Sequence, residues 1–333
     1  MAHSRGTVLV TGGAGYIGSH TCKALSKARY LPVVYDNLLR GHEWAAKWGP
    51  LEKGDIRDRA RLGDVFVQYK PAAVLHLAGL AYVGESVSDP GSYYETNVGG
   101  SLALVETMRE YECMRIVFSS TCATYGTPDK LPIDEATPQK PINPYGASKL
   151  MVERILGDFQ RAHGIRCTAL RYFNAAGADL DGDLGETHDP ETHLIPLVLG
   201  AVSGRYPAVS IFGNDYGTRD GTCVRDYVHV TDLAAAHVLA LRALEQGTAR
   251  TAYNLGIGLG FSVREVIAAA ERVTGRKVPY SVSPRRCGDP AALISNATRA
   301  GEELGWRPEI THLDDIVRSA WVWHERGRPT GAL

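Results

Sequence analysis

The chain is expected to fold as an α/β protein: a doubly wound parallel sheet of the Rossmann type, with a smaller mixed α/β lobe at the carboxyl-terminal end. Three observations carry this expectation. Short apolar runs alternate with helix-period segments through the first half. A glycine-rich turn, Thr11-Gly-Gly-Ala-Gly-Tyr-Ile-Gly18, joins the first apolar run to the first helical one. Tyr145-Gly-Ala-Ser-Lys149 sets a phenol and an amine four residues apart, on one face of a helix.

Residues 7–10, 31–35, 72–77, 115–119 and 167–172 read as buried strands, and a further short strand precedes Asp55. Between them, 16–27, 60–69, 93–111 and 145–163 carry apolar positions at helical spacing. Such alternation builds βαβ units, and ligands of these sheets sit at the carboxyl ends of the strands where the winding reverses. After Asn174 the character changes. Residues 175–189, rich in Gly and Asp, form a loop, and the stretch through Arg225 is irregular. Strand 252–255 is expected to return to the main sheet, and helical patterns resume at 263–274 and 313–324. The division that follows is 4–174 with 225–257 for a dinucleotide-binding domain, and 175–224 with 258–330 for a substrate lobe.

Bulk properties narrow the function. With 333 residues, 44% hydrophobic and 22% charged, the chain has ample core. Lysine plus arginine (36) balances aspartate plus glutamate (37), which argues against nucleic-acid or membrane-surface binding. No apolar run spans a bilayer, and residues 1–5 lack the apolar core of a signal peptide, so a cytoplasmic enzyme is expected. Cysteines 22, 113, 122, 167, 223 and 287 are scattered, with no Cys-x-x-Cys and no His/Cys cluster at metal spacing. Buried thiols, and no metal, are the expectation.

Glycines 12, 15 and 18 allow a tight turn, close approach to a pyrophosphate and close helix–strand packing, and the helix amino end favours phosphate. Asp36 ends the second strand, placed to bond a ribose diol; a carboxylate there disfavours a 2′-phosphate and selects NAD over NADP. Arg40 is a counter-argument, since an arginine nearby can serve a 2′-phosphate. Asp55 and Ile56 are suited to bracket an adenine, by hydrogen bond and apolar contact, the alternative being that Asp55 caps a helix. Ala78 and Gly79 let backbone approach ribose and phosphates. Beside a nicotinamide, the Lys149 charge can hold the Tyr145 phenol partly ionised, far below its usual pKa of about 10. That pair then takes a proton from a secondary alcohol. The alternative is two residues on a solvated face.

TGGAGYIGSHT, GDIRD, AGL-x-x-VGES, FSSTCATYG, NPYGASK, LRYFNAAGA, FGNDY, DGTCVRDY and NLG together resemble the extended short-chain dehydrogenases/reductases, and more narrowly the UDP-glucose (UDP-galactose) 4-epimerases. The resemblance runs from about Thr7 to Trp323. It implies a catalytic trio of Thr121, Tyr145 and Lys149, with Thr121 in the place of the more usual serine. It also implies that Tyr16, Ile17, Asn37, Leu77, Thr96, Ser119 and Tyr172 join the cofactor contacts named above. Dehydratases of this kind carry acids after that threonine and decarboxylases a glutamate; here Cys122 and Ala123 follow, neither a general acid.

For the substrate, the resemblance implies Arg225 and Arg286 on a diphosphate and Asn174 donating to it. Asp289 would take the uridine ribose and Phe212 lie near uracil, with Thr121 and Tyr145 at the reacting hydroxyl. Arg225 could instead pair with Asp226, and Phe212 could be core. His193 and Leu194 stand at a turn where an asparagine is common, Ala81 replaces a frequent lysine, and Thr96 replaces an asparagine while Asn97 is kept. Leu293 falls where residue size governs room for a 2-N-acetyl group, so N-acetylated sugars are expected to be poor substrates. The expected reaction is reversible inversion at C4 of UDP-glucose/UDP-galactose through a transient 4-keto sugar, with NAD tightly held. UDP-xylose/UDP-arabinose 4-epimerisation, net dehydrogenation and a non-catalytic NAD-binding regulator are the alternatives. A homodimer through helices 93–111 and 145–163 is implied by the same resemblance.

Overall fold

The computed structural model describes residues 5–286 and 289–327; Cys287, and the outermost domain bounds at 4 and 328–330, lie outside them. In chain order the strands among the described residues are β1 Thr7–Thr11, β2 Leu31–Asp36, β3 Leu51–Lys53, β4 Ala73–His76, β5 Arg115–Thr121, β6 Arg166–Tyr172, β7 Asn174–Ala176, β8 Val209–Phe212, β9 Val224–His229, β10 Ala252–Leu255, β11 Gly260–Ser262, β12 Tyr280–Ser283 and β13 Ala292–Leu293. Seven of them form one sheet in the order β10-β6-β5-β4-β1-β2-β3. All its pairings are parallel. The winding reverses between β1 and β4, which puts the ligand crevice at Gly12 and Ala78.

The strand pattern explains why the sheet is covered on both faces. In β1, Val8 and Val10 point to one side and Leu9 to the other, and all three are buried. The Val8 side continues through Val34, Leu75 and Val117 into Leu233 and Leu241 of helix Val230–Gln246. The Leu9 side packs with Val33, Val74 and Phe118 against Leu62, Met108 and Val152, from helices Arg59–Tyr69, Gly100–Glu110 and Pro144–His163. Each such side chain contributes about 1.5–3 kcal/mol of burial.

The smaller part holds β11-β9-β13 with β7 on β9, and a separate β8–β12 pair. Its core joins Val198 of helix Leu194–Val202, Val266 and Ile267 of Val263–Thr274, and Ile316 and Val317 of Leu313–Arg326. Helix Val263–Thr274 starts at a Ser262/Glu265 capping box and stops at Gly275 in the left-handed region.

Some expectations are refined. The stretch expected to be irregular contains helix Leu194–Val202 and strand β8. Helix Val230–Gln246 went unread because Leu-Ala-Ala-Ala-His-Val-Leu-Ala-Leu carries no polar stripe; it is buried nearly all round. The run read as one helix over 93–111 is two α-helical pieces, Pro90–Tyr93 and Gly100–Glu110, joined by a π-helical turn at Tyr94–Gly99. β10 pairs with β6 in the main sheet, whereas β9, which opens the 225–257 segment, lies in the second sheet. No helix among the described residues is long and apolar enough to cross a membrane.

Candidate active site

The crevice begins where β1 ends. Gly12 has φ +72°, and a Cβ there would lie 2.6 Å from the Ala78 nitrogen; one on Gly18 would lie 2.0 Å from the Gly12 oxygen. Gly15 caps helix Tyr16–Lys27 with no side-chain hydrogen bond, so the positive helix end is left to a ligand. Leu77 N donates to Thr11 O at 2.9 Å, which holds the β4 end against the turn. Ile17 packs into the core beneath, and the Tyr16 hydroxyl donates to Gly177 O at 2.6 Å.

At the end of β2, the Asp36 carboxylate accepts from Ala14 N (3.0 Å) and Leu38 N (2.8 Å) while burial pushes its pKa up. Asn37 donates to Asp55 at 3.0 Å, and Ile56 is buried against Gly100. The helix cap is Asp58, not Asp55; Asp55 is instead gripped by Arg57, which lowers its pKa to about 2. Arg40 is engaged away from Asp36: its guanidinium lies 4.9 Å over the Tyr82 ring, pairs with Glu85 at 3.1 Å and donates to Asp189 O at 2.8 Å. Glycines that let the turn pack against the β4 end and the first helix, an uncapped helix end and a carboxylate closing β2 together fit a dinucleotide with a free 2′-hydroxyl.

The catalytic candidates meet at the ends of β4, β5 and β6. Asn143 accepts from Gly146 N at 2.8 Å and Pro144 opens the first turn, which fixes where helix Pro144–His163 begins. Gly146 has a second role. A Cβ there would be 2.5 Å from Ala123 O, so only glycine brings this turn against the segment after β5. Tyr145 then comes near Thr121, whose hydroxyl favours the ionised phenol. Lys149, one turn on, is buried; its ammonium donates to Ser119 O at 3.0 Å and sits 5.0 Å over the Phe118 ring. Ser119 also bonds the Tyr172 hydroxyl. Gly79 lies close to the Lys149 amine, and Thr96 sits on the π-helical turn beside it in sequence to Asn97.

Burial sets the electrostatics of this pair. Burial pushes the Tyr145 phenol above its usual value, with only the Thr121 hydroxyl pulling it back, and the Lys149 pKa is itself lowered by burial to about 8. The ammonium is tied to the Ser119 carbonyl, so desolvation of the phenol prevails.

On the other side of the crevice, Arg225 on β9 is partly buried and pairs with Asp289; it does not pair with Asp226. The Asp226 carboxylate is consumed by Ser295 Oγ (2.6 Å), Ser295 N and the Ile257 and Gly258 amides. The Arg286 guanidinium stacks 3.8 Å over the Phe212 ring. Leu293 faces Arg225 across the β9–β13 pairing and packs with Cys122, Tyr125 and Phe173, beside the segment that follows Thr121. Asn174 opens β7 next to Tyr227 of β9. His193 precedes helix Leu194–Val202, with Leu194 packed on its core, and its Nδ1 pairs with Glu186.

Other residues at the site escaped the sequence. Asn97 binds both polar groups of the Leu80 backbone (2.8 and 3.0 Å) and Ser148 Oγ (3.0 Å), tying the loop after β4 to helix Pro144–His163. The Tyr93 ring stands edge-on to Tyr145 with centroids 6.5 Å apart. Beneath Thr121, Ser120 donates to Glu153 at 2.5 Å, Arg171 donates to Glu153 at 2.6 Å and to the Tyr125 hydroxyl at 2.9 Å, and that hydroxyl donates to Asn254 at 2.7 Å. Glu153 lies one turn beyond Lys149 on the same helix face, the one signal that pointed to it.

The NAD dependent epimerase/dehydratase family profile matches residues 8–256. The UDP-glucose 4-epimerase of Rhizobium leguminosarum bv. trifolii is 53% identical over 320 residues, covering 96% of this chain and 98% of that protein. That of Rhizobium meliloti is 52% identical, covering 97% and 98%. The crystal structure of UDP-glucose 4-epimerase from Brucella ovis in complex with NAD superposes with a TM-score of 0.93 at 52% identity, covering 95% of this chain and 98% of that one. The Stenotrophomonas maltophila enzyme with bound NAD and formylated UDP-arabinopyranose gives 0.93 at 39% identity, covering 97% and 98%. With the glycine turn, the Asp36 carboxylate and the Thr-Tyr-Lys group at the strand ends of one doubly wound sheet, and these likenesses over nearly its whole length, the chain belongs to the NAD-dependent epimerase/dehydratase family.

Proposed function

We propose that the protein is an NAD-dependent UDP-glucose 4-epimerase, which reversibly inverts C4 of UDP-glucose and UDP-galactose. The observation that carries this reading is the Thr121–Tyr145–Lys149 group at the dinucleotide crevice, followed by Cys122 and Ala123 instead of acids. Proton transfer without a following general acid supports oxidation and reduction at one carbon, not loss of water. NAD held in this crevice would supply a pyridinium as acceptor and donor of hydride for C4, and positive charge beside Tyr145 and Lys149.

The chain does the rest. Tyr145 takes the O4 proton and later gives it back, Thr121 holds O4 by hydrogen bond, and Lys149 bonds the nicotinamide ribose and lends its charge. Arg225 and Arg286 grip the diphosphate, with Asn174 and His193 donating to it, so that the oxidised sugar can turn about a fixed tether. Phe212 and Leu194 flank the uracil side, Asp289 takes the ribose, and Leu293 limits the space beside C2. Gly12, Gly15, Tyr16, Ile17 and Gly18 hold the pyrophosphate; Asp36 and Asn37 the adenosine ribose; Asp55 and Ile56 the adenine. Leu77, Ala78, Gly79, Thr96, Ser119 and Tyr172 line the nicotinamide half. We place the two-unit division as the sequence has it, the setting in the cytoplasm, and the assembly as a homodimer through helices Gly100–Glu110 and Pro144–His163, whose Leu102 and Met151 are exposed.

Incubation of the purified protein with UDP-glucose or UDP-galactose, without added NAD, followed by chromatography, tests the reading. Interconversion with no NADH accumulating is expected; stoichiometric NADH, or no conversion, contradicts it. A UDP-pentose preference is the second reading, favoured by the likeness to the enzyme bound to formylated UDP-arabinopyranose. Parallel kinetics on UDP-galactose and UDP-arabinopyranose separate the two.

A further inference from the structure

The segment 186–193 crosses the amino end of helix Tyr16–Lys27 and gathers four ligand-type side chains. Glu186, His188, Glu191 and His193 present one donor atom each, all within 4.8 Å of one another. Glu186 and Glu191 are sunk, their side chains 6% and 8% exposed, and His193 is the open member at 42%. His188 Nδ1 lies 3.1 Å from Glu186 Oε1 and 3.8 Å from Glu191 Oε1; His193 Nδ1 lies 4.0 Å from Glu191 Oε1 and closer still to Glu186. A tetrahedral zinc with bonds of about 2.0–2.2 Å separates its ligand atoms by about 3.3–3.6 Å; the two His188 distances bracket this spacing, and the closer His193–Glu186 pair opens to admit the ion.

The orientation of His188 adds an independent argument. Its Nδ1 is buried and makes no hydrogen bond, although a carboxylate oxygen is 3.1 Å away. An imidazole nitrogen lying near two carboxylates without a well-aligned hydrogen bond to either suits a metal ligand. The ring is also fixed from outside, edge-on to Tyr16 (centroids 6.2 Å) and Tyr82 (6.0 Å). Glu191 accepts from the Thr192 and His193 amides at 2.8 and 2.9 Å, and the backbone between the ligands is held by His42 on Thr187 O (2.6 Å) and Trp323 on Glu186 O (3.2 Å). Two carboxylates and two imidazoles are neutral with a divalent cation and need two extra protons without one. The nearby Asp179–Asp181–Asp183 group has no such need: the Lys23 ammonium sits on all three at 2.7–2.8 Å.

We propose that Glu186, His188, Glu191 and His193 bind one divalent transition cation, zinc by donor set and geometry, which pins this segment over the cofactor helix. No metal was expected from the sequence because attention to His/Cys spacing passes over a Glu-x-His-x-x-Glu-x-His run. The test uses the NAD-containing protein, dialysed against EDTA and then titrated with Zn²⁺. Metal is counted by mass spectrometry and its ligands read by zinc X-ray absorption. One zinc per chain is expected, with a shell of nitrogen and oxygen only, including two imidazoles. His188→Gln and Glu191→Gln, with circular dichroism and NAD content as checks on folding, should each weaken binding at least tenfold. Fewer than about 0.1 zinc per chain, sulfur in the shell, or undiminished binding in both variants overturns the proposal; the absorption spectrum of the parent decides the matter if the variants do not fold.

Discussion

Adding one methyl group at Gly146 should disable catalysis without touching any reacting group. The Cβ of Gly146→Ala would lie 2.5 Å from Ala123 O, 2.9 Å from Ala123 C and 3.2 Å from Pro141 Cβ, where ordinary contact begins at 3.4 Å. The first turn of helix Pro144–His163 must therefore retreat by about 0.9 Å, the difference between 2.5 and 3.4 Å. Tyr145 is the neighbouring residue and moves with it. A displacement of about 1 Å at a reacting group costs on the order of 10²-fold in rate. Overpacking costs about 1–3 kcal/mol, partly offset by about 0.5–1 kcal/mol from replacing glycine in a helix. We expect kcat to fall about 100-fold, a modest drop in Tm, and unchanged NAD content, because the turn at Gly12–Gly18 is untouched. Gly99→Ala is the matched control, since a Cβ there meets nothing within 4 Å, and it should keep parental kcat. A kcat for Gly146→Ala within threefold of the parent would refute the claim that this glycine sets the reach of Tyr145.

Lys149→Met should abolish turnover yet stabilise the protein stripped of NAD by about 1–3 kcal/mol at pH 7. The buried amine's pKa falls from 10.5 to about 8, at about 1.36 kcal/mol per unit, less the hydrogen bond to Ser119. Because the unfolded chain holds that proton more tightly, the parent gains stability as pH rises from about 8 to 10.5. Urea unfolding at pH 7 and 10.5 checks this; an equal gap at both pH values contradicts it. Lys23→Met leaves the buried Asp179 carboxylate uncompensated and should cost about 2–4 kcal/mol and speed NAD loss on gel filtration, whereas Asp181→Asn, at an exposed partner, should cost under about 1 kcal/mol. Arg225→Lys exchanges a planar fork for a point charge and should raise KM about 10- to 100-fold with kcat nearly kept, as steady-state kinetics will show.

What the sequence disclosed and what it hid divide along physical lines. Strand–helix alternation, the turn at 11–18 and the Tyr145/Lys149 spacing are local patterns, and each corresponds to an element of the fold. Long-range facts were not legible. Ala123 O opposite Gly146, Glu153 between Ser120 and Arg171, and Arg225 choosing Asp289 over Asp226 depend on strands distant in sequence. Helix Val230–Gln246 was hidden for the opposite reason: most of its surface is buried, which leaves little polar periodicity to read. Spacing reveals the charge beside the phenol but not the depth of burial that opposes its ionisation.

The central claim is that one hydrogen leaves C4 and returns to the same carbon while Tyr145 carries only the hydroxyl proton. UDP-galactose deuterated at C4, converted in ordinary water and analysed by NMR, tests it most directly. The account predicts UDP-glucose that keeps its deuterium at C4, and no such product from Tyr145→Phe even though that variant retains NAD. Deuterium lost to solvent, or normal turnover by Tyr145→Phe, would contradict it.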